Sequence, residues 1–171
     1  MEKLEWIKSK IFTRDQIRNQ RNVWRFKDRK VVFTNGCFDI LHLGHIEYLS
    51  KASDLGDVLV IGLNSDRSVT ALKGPGRPVT NEHARAVILA SLSMVTTIVL
   101  FDEETPYDLI ELVQPDILVK GADYRTEEIA GHDIVLARGG EVVTIPLTEG
   151  YSTTDLIARL GTTKVSAGRK Q

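Results

Sequence analysis

The chain has 171 residues, 42% hydrophobic and 26% charged, which suits one well-cored globular domain and is short for two. A formal net charge of −1 excludes the global basic field of a nucleic-acid-binding protein, so any anion must be held by a local site. A single cysteine, Cys37, excludes an intramolecular disulfide and a cysteine-based zinc site, and no apolar run approaches the ~20 residues of a membrane span.

Residues 1–29 are charged with scattered apolar residues at loosely helical spacing, and Thr13-Arg14-Asp15-Gln16 reads as the cap of a short helix. This segment is expected to be a helical leader whose aromatics pack on the domain or on a partner chain. Its start, Met1–Trp6, lacks the apolar core of a secretory signal, and a reduced, cytoplasmic setting is the expectation.

From Val31 onward, short runs rich in Val and Ile alternate with helical stretches. The runs Val31–Phe33, Val58–Leu63, Thr97–Phe101, Ile117–Val119 and Val142–Ile145 are continuous, as befits parallel strands buried on both faces. Helices are expected near 43–55, 65–72, 81–93, 105–114, 126–138 and 152–160. Gly56 and Gly139-Gly140 mark helix stops, Pro106 and Pro115 bracket another helix, and Lys73–Pro78 is a Gly- and Pro-rich loop. The expected fold is an α/β, Rossmann-like, doubly wound five-stranded parallel sheet. It would occupy 30–161, after the leader and before a polar tail at 162–171.

The chemistry concentrates where strand Lys30–Phe33 runs into Thr34-Asn35-Gly36-Cys37-Phe38-Asp39-Ile40-Leu41-His42-Leu43-Gly44-His45. In doubly wound sheets ligands bind beyond the carboxyl ends of strands. Gly36 permits a tight turn, and Gly44 removes a side chain where a phosphate would approach the backbone. His42 and His45 lie on one helical face, roughly 5–6 Å apart at their β-carbons, and point at the same anion. Neither a dinucleotide fingerprint nor a Walker phosphate loop is present.

A second donor cluster is Gly150-Tyr151-Ser152-Thr153-Thr154, hydroxyls at a helix start. Lys120-Gly121-Ala122-Asp123-Tyr124 ends a strand at the ligand edge, with Lys120 suited to a phosphate and Asp123 or Tyr124 to a sugar or base. Lys73 can close over phosphates from its loop, and Arg85 can reach in from its helix. Cys37 reads as a small packed residue and His83 as a polar residue at a helix start. His132 carries no assigned role.

In this order the motifs resemble the HxGH nucleotidyltransferase superfamily over 31–160. Within it the chain is similar to the stand-alone adenylyltransferases of D-glycero-β-D-manno-heptose 1-phosphate, the ADP-heptose synthases. Asn64-Ser65-Asp66, Leu72-Lys73-Gly74, Arg77-Pro78-Val79, Asp116–Tyr124, Glu127–Gly131 and Ser152–Thr154 complete the likeness. It implies transfer of AMP from ATP to a sugar 1-phosphate, for the lipopolysaccharide core, with Mg2+ arriving on the ATP phosphates and no dedicated metal site. His42, His45 and Lys73 would be catalytic. Thr34, Asn35, Gly36, Phe38, Gly44, Arg85, Lys120, Gly121, Asp123, Tyr124, Ser152, Thr153 and Thr154 would bind nucleotide, and Asp39, Asn64 and Asp66 the acceptor. A homo-oligomer is expected, without nucleic acid or membrane.

Glycerol-phosphate cytidylyltransferases share much of this pattern but usually carry an arginine where this chain has Leu147. That difference, together with Lys120-Gly121, favours ATP over CTP. A CTP-dependent polyol-phosphate cytidylyltransferase and a non-catalytic nucleotide-binding module stand as alternatives.

Overall fold

The computed structural model describes residues 1–122, 125–146, 148 and 150–162. The expected roles of Asp123, Tyr124 and Leu147 therefore lie outside the described residues, as does nearly all of the expected polar tail.

The chain order is α1 (Lys3–Lys8), β1 (Ile11–Phe12), α2 (Arg14–Phe26), β2 (Val31–Gly36), α3 (Leu43–Ser53), β3 (Val58–Asn64), α4 (Asp66–Lys73) and α5 (Glu82–Ala90). It continues with β4 (Thr97–Phe101), α6 (Tyr107–Val113), β5 (Ile117–Gly121), a 3-10 turn (Thr126–Glu128), α7 (His132–Ala137), β6 (Glu141–Ile145) and α8 (Thr153–Thr162). The strands form one sheet in the order β1-β4-β3-β2-β5-β6, and every pair is parallel.

The five expected strands are all present, and a sixth, β1, comes from the leader. Ile11 and Phe12 pair with Ile98 and Val99, and the Thr97 hydroxyl donates to the Lys10 carbonyl at 2.6 Å. The leader thus extends the sheet besides packing on it. Its helix α2 starts at the expected cap: Thr13 accepts from the Gln16 amide at 3.2 Å, and the Gln16 side chain accepts from the Thr13 amide at 2.7 Å. Ile17 and Trp24 on α2 are buried, whereas Phe26 is exposed.

Strand periodicity sorts the core into two layers. Val32, Leu59, Ile61, Leu63, Ile98, Ile117 and Val119 face one side with Leu49 of α3 and Leu89 of α5. Val31, Phe33, Val58, Val60, Val99, Phe101 and Leu118 face the other with Trp24 of α2, Ile110 of α6 and Val135 of α7. Each such side chain contributes roughly 1.5–3 kcal/mol by leaving water, so both faces of the sheet must be covered. This is why the strand sequences are continuously apolar.

The expected helix over 126–138 is instead a 3-10 turn and the short helix α7. Gly131 separates them with φ of 84°, and a Cβ there would lie 2.7 Å from Ile110 Cδ1. Only glycine suits both the left-handed backbone and the close packing. Lys73, placed in a loop by the sequence, is the last residue of α4. Among the described residues no helix is long and apolar enough to cross a membrane.

The chain lays down β2, moves outward through β3 and β4, then crosses to the other flank of β2 for β5 and β6. The strand order therefore reverses between β2 and β5, where the connections leave in opposite directions and open a crevice.

Candidate active site

A cleft of about 610 Å³ opens at that reversal, beyond the carboxyl ends of the strands. Its floor is the end of β2 and the segment that follows: Asn35, Gly36, Cys37, Phe38, Asp39, His42, Gly44 and His45 all line it. Lys73 and Arg77 contribute from α4 and the following loop, Lys120 and Gly121 from β5, and Thr148 and Tyr151–Thr154 from the approach to α8.

The histidines are held as a stacked pair. Their ring centroids are 3.8 Å apart with planes 20° from parallel. His42 is the N-cap of α3, yet its side chain makes no capping bond, so the imidazole is left for the cleft. Tyr151 stacks on its outer face at 6.2 Å, and Phe38 meets the His45 ring at 5.2 Å in a tilted contact. Phe38 adopts φ of 44°, a left-handed conformation that costs a non-glycine residue roughly 1–3 kcal/mol. Its buried ring sits where a Cβ on Gly36 would come within 3.0 Å. Gly36, expected as a turn residue, ends β2 and serves by making room for that ring. At Gly44 a Cβ would lie 3.1 Å from Tyr151 Cβ and 3.2 Å from His42 Nδ1, inside the wall of the cleft.

Three buried polar atoms lack a hydrogen-bond partner among the described residues: Asn35 Oδ1, His42 Nδ1 and His45 Nδ1. Buried polar groups are nearly always paired, so three orphans around one point mark a place built for a polar ligand. Burial lowers the pKa of His42, and burial followed by the neighbouring His42 lowers that of His45 from 6.5 to about 4. At neutral pH the cleft therefore holds two uncharged imidazoles, each with one N–H to donate. Burial raises the Cys37 thiol above its usual range, in keeping with a packed and unreactive residue.

The hydroxyl turn follows Tyr151, beside this pair. The Ser152 carbonyl accepts the Leu156 amide at 3.0 Å, which opens α8, and the Thr153 hydroxyl donates to the Ile40 carbonyl at 3.4 Å. The Thr148 hydroxyl bonds the Glu47 carboxylate of α3. Helix α8 therefore begins against the histidine segment, with Ser152, Thr153 and Thr154 lining the cleft.

Several expected site residues bond to groups of the protein itself. Arg85 is 1% exposed and does not line the cleft. It donates to the carbonyls of Thr80, Cys37 and Asn64 at 2.9, 2.6 and 2.9 Å and to Asp66 Oδ1 at 2.7 Å. It clamps three segments together, because a guanidinium this deep must satisfy its donors inside the protein. Asp66 answers Arg85 and likewise stays off the cleft lining. Thr34 is fully buried, its hydroxyl 2.8 Å from that of Tyr48, so it supports a lining residue without being one. Asn64 lines the cleft while its amide donates to the Ser68 hydroxyl at 2.9 Å. The Asp39 carboxylate accepts from Arg77 Nε at 2.7 Å and from the Val79 and Thr80 amides at 2.7 and 3.0 Å, so its oxygens hold a loop.

Arg77, Tyr151 and Glu128 line the cleft without having been assigned to it from sequence. Arg77 stood in a recognised motif, and Tyr151 preceded the hydroxyl turn; each was a legible signal left unused. His83 is exposed on α5, and His132 Nδ1 lies 2.9 Å from the Ile129 carbonyl, both away from the cleft lining.

The family model described as cytidylyltransferase-like matches residues 33–159. The bifunctional protein HldE of Syntrophotalea carbinolica is 53% identical over 152 residues, which cover 89% of this chain and 31% of that protein. HldE of Caulobacter vibrioides is 54% identical over 151 residues, 88% of this chain and 31% of its own length. The chain thus spans about a third of the length of the curated relatives it matches. Among solved structures, the lipopolysaccharide core biosynthesis protein from Thermoplasma volcanium GSS1 superposes with a TM-score of 0.57 at 31% identity, covering 72% of this chain and 99% of that one. Pantoate-beta-alanine ligase from Francisella tularensis, at 17% identity and a TM-score of 0.56, covers 87% of this chain and 76% of its own, and shares the fold.

A doubly wound parallel sheet that presents a His-x-Gly-His pair at its switch point defines a nucleotidyltransferase. The chain belongs to the cytidylyltransferase-like family.

Proposed function

We propose that this chain transfers AMP from ATP to D-glycero-β-D-manno-heptose 1-phosphate, releasing pyrophosphate and forming ADP-heptose for the lipopolysaccharide core. The single observation that carries this reading is the stacked His42–His45 pair, with its unpartnered Nδ1 atoms, in one cleft with Lys120 and the Ser152–Thr154 turn. The identity of about half to the HldE proteins supports the choice of acceptor, as does the printed name of the Thermoplasma neighbour. The reading carries with it a cytoplasmic setting and a homo-oligomeric enzyme.

A phosphate monoester has its second pKa near about 6, so the attacking oxygen is already anionic at neutral pH. No general base is needed. The barrier lies in bringing two anions together and stabilising charge on the α-phosphoryl oxygens and the departing pyrophosphate. His42 and His45 suit that task as N–H donors, placed within one stack so that both address the same phosphate. Lys73 and Lys120 supply positive charge from opposite walls. The amides and hydroxyls at the start of α8 hold the remaining phosphate oxygens. Among the described residues no group of three or more His, Cys, Asp or Glu gathers to hold a metal ion. Magnesium enters this reading on the nucleotide's own phosphates, where it neutralises the leaving group.

The test pairs the enzyme and magnesium with ATP or CTP and a panel of sugar and polyol phosphates, and measures pyrophosphate. Release with ATP and the heptose 1-phosphate alone is the expected result. The family description favours a second reading, a CTP-dependent polyol-phosphate cytidylyltransferase. Release with CTP and glycerol phosphate alone establishes that reading and overturns the first. Nucleotide binding without release under any pairing overturns both.

A further inference from the structure

The loop between α4 and α5 has two halves of different character. It leaves α4 through Gly74 and Gly76, whose φ values of 90° and 81° place both in the left-handed region, and an added Cβ would touch nothing within 4 Å at either. The second half is pinned. Asp39, its side chain 1% exposed, takes Arg77 Nε on one oxygen and the Val79 and Thr80 amides on the other. The Thr70 hydroxyl donates to the Arg77 carbonyl at 2.6 Å, and Arg85 Nε donates to the Thr80 carbonyl at 2.9 Å.

These contacts fix Arg77 by its backbone and by Nε alone. Its side chain lines the cleft at 18% exposure. Its two terminal amino groups have no protein partner among the described residues. A guanidinium anchored at Nε and open at both Nη atoms is a pre-set fork for the oxygens of a phosphate. Asp39 would otherwise be a buried carboxylate beside an anion site; tied to Arg77 and two amides, it orients the fork and leaves the net charge of that wall to Lys73.

The position of the fork selects which phosphate. Lys120, Gly121 and the Ser152–Thr154 turn come from the β5, β6 and α8 wall, and they serve the nucleotide in the proposed reaction. Lys73 and Arg77 come from the opposite wall, after β3, and line the same cleft. A phosphate monoester carries about −1.5 to −2 charge at neutral pH, which the Lys73 charge opposes and the open Arg77 fork can hydrogen-bond. We infer that Arg77 grips the phosphate of the acceptor beside Lys73, and that Asp39 is the residue that positions it. The inference rests on the transferase reading above, because that reading supplies the second phosphate substrate.

Calorimetry on the whole chain, with magnesium and saturating α,β-methylene-ATP, measures binding of inorganic phosphate and of heptose 1-phosphate. Arg77→Gln should weaken both by about tenfold or more, while affinity for the ATP analogue stays within about twofold. Arg77→Lys, which keeps the charge and loses the fork, should fall between. Asp39→Asn should raise the KM for the acceptor without a matching rise for ATP, a split that general loosening of the fold would not produce. Unchanged phosphate affinity in Arg77→Gln overturns the inference. So does a wild-type protein that binds no phosphate on top of the analogue at millimolar concentration, or an equal loss of analogue and phosphate. If phosphate binding follows the expected pattern but wild-type protein releases no pyrophosphate from ATP with any sugar 1-phosphate, the transferase reading falls and the Arg77 subsite stands.

Discussion

Acidifying the empty enzyme probes directly how the histidine pair is built. Burial, and then the His42 ring beside it, lowers the His45 pKa from 6.5 to about 4. The unfolded chain therefore takes up this proton first. The stability that goes with a neutral His45 is intact above pH 6.5 and is lost as pH falls from 6.5 toward 4. At about 1.36 kcal/mol per pKa unit the interval is worth at most roughly 3 kcal/mol, and the partial exposure of the ring reduces the expected figure to about 1–2 kcal/mol. Urea denaturation near neutral pH and near the lower end of that interval, on wild type and His45→Gln, isolates it. Wild type should lose about 1–2 kcal/mol more than the variant on acidification. The His45 ring protons should titrate near pH 4 by NMR in the empty protein and move upward when an ATP analogue places negative charge against the ring. A His45 that titrates at or above 6.5, or equal acid losses in the two proteins, refutes the picture of a desolvated, mutually repelling pair.

Removing one imidazole tests its role in the reaction: His45→Ala should lower kcat by roughly 10²–10³-fold with little change in melting temperature, measured by pyrophosphate release and calorimetry. Gly44→Ala should raise the dissociation constant for ATP about tenfold, because its Cβ would press on the His42 ring and Tyr151 at 3.2 and 3.1 Å, and titration calorimetry reads this directly. Arg85→Met should destabilise the fold by about 3 kcal/mol in urea denaturation, since it strips three backbone carbonyls and Asp66 of a buried donor. Its KM for ATP, measured on the folded fraction, should change far less than that of Gly44→Ala.

What could be read from the chain follows the reach of each physical signal. The strands β2 to β5 were visible because burial on two faces writes continuous Val and Ile runs, and the edge strand β6 was visible from Val142, Val143 and Ile145. Strand β1 was not, because two residues have no period, and Ile11 and Phe12 are a strand only through pairing with Ile98 and Val99. The break before α7 hung on Gly131, whose left-handed backbone answers to Ile110, a residue distant in sequence. At the site, the His-x-Gly-His segment and the hydroxyl turn were legible because each is local, with its donors set by one strand end or one helix start. Arg85 shows the limit of a local reading, because an arginine that bonds buried carbonyls and one that waits for a phosphate look alike in sequence. The Asp39–Arg77 pair was out of reach for a related reason. Its partners are 38 residues apart, and only the folded loop brings them to 2.7 Å.

Following the α-phosphorus tests the central claim most directly. With ATP labelled at that atom, magnesium and D-glycero-β-D-manno-heptose 1-phosphate, the label should appear in a sugar nucleotide diphosphate. Unlabelled pyrophosphate should form in equal amount, and neither product should form with labelled CTP. Label that stays in ATP, or that moves only from CTP to glycerol phosphate, contradicts the account.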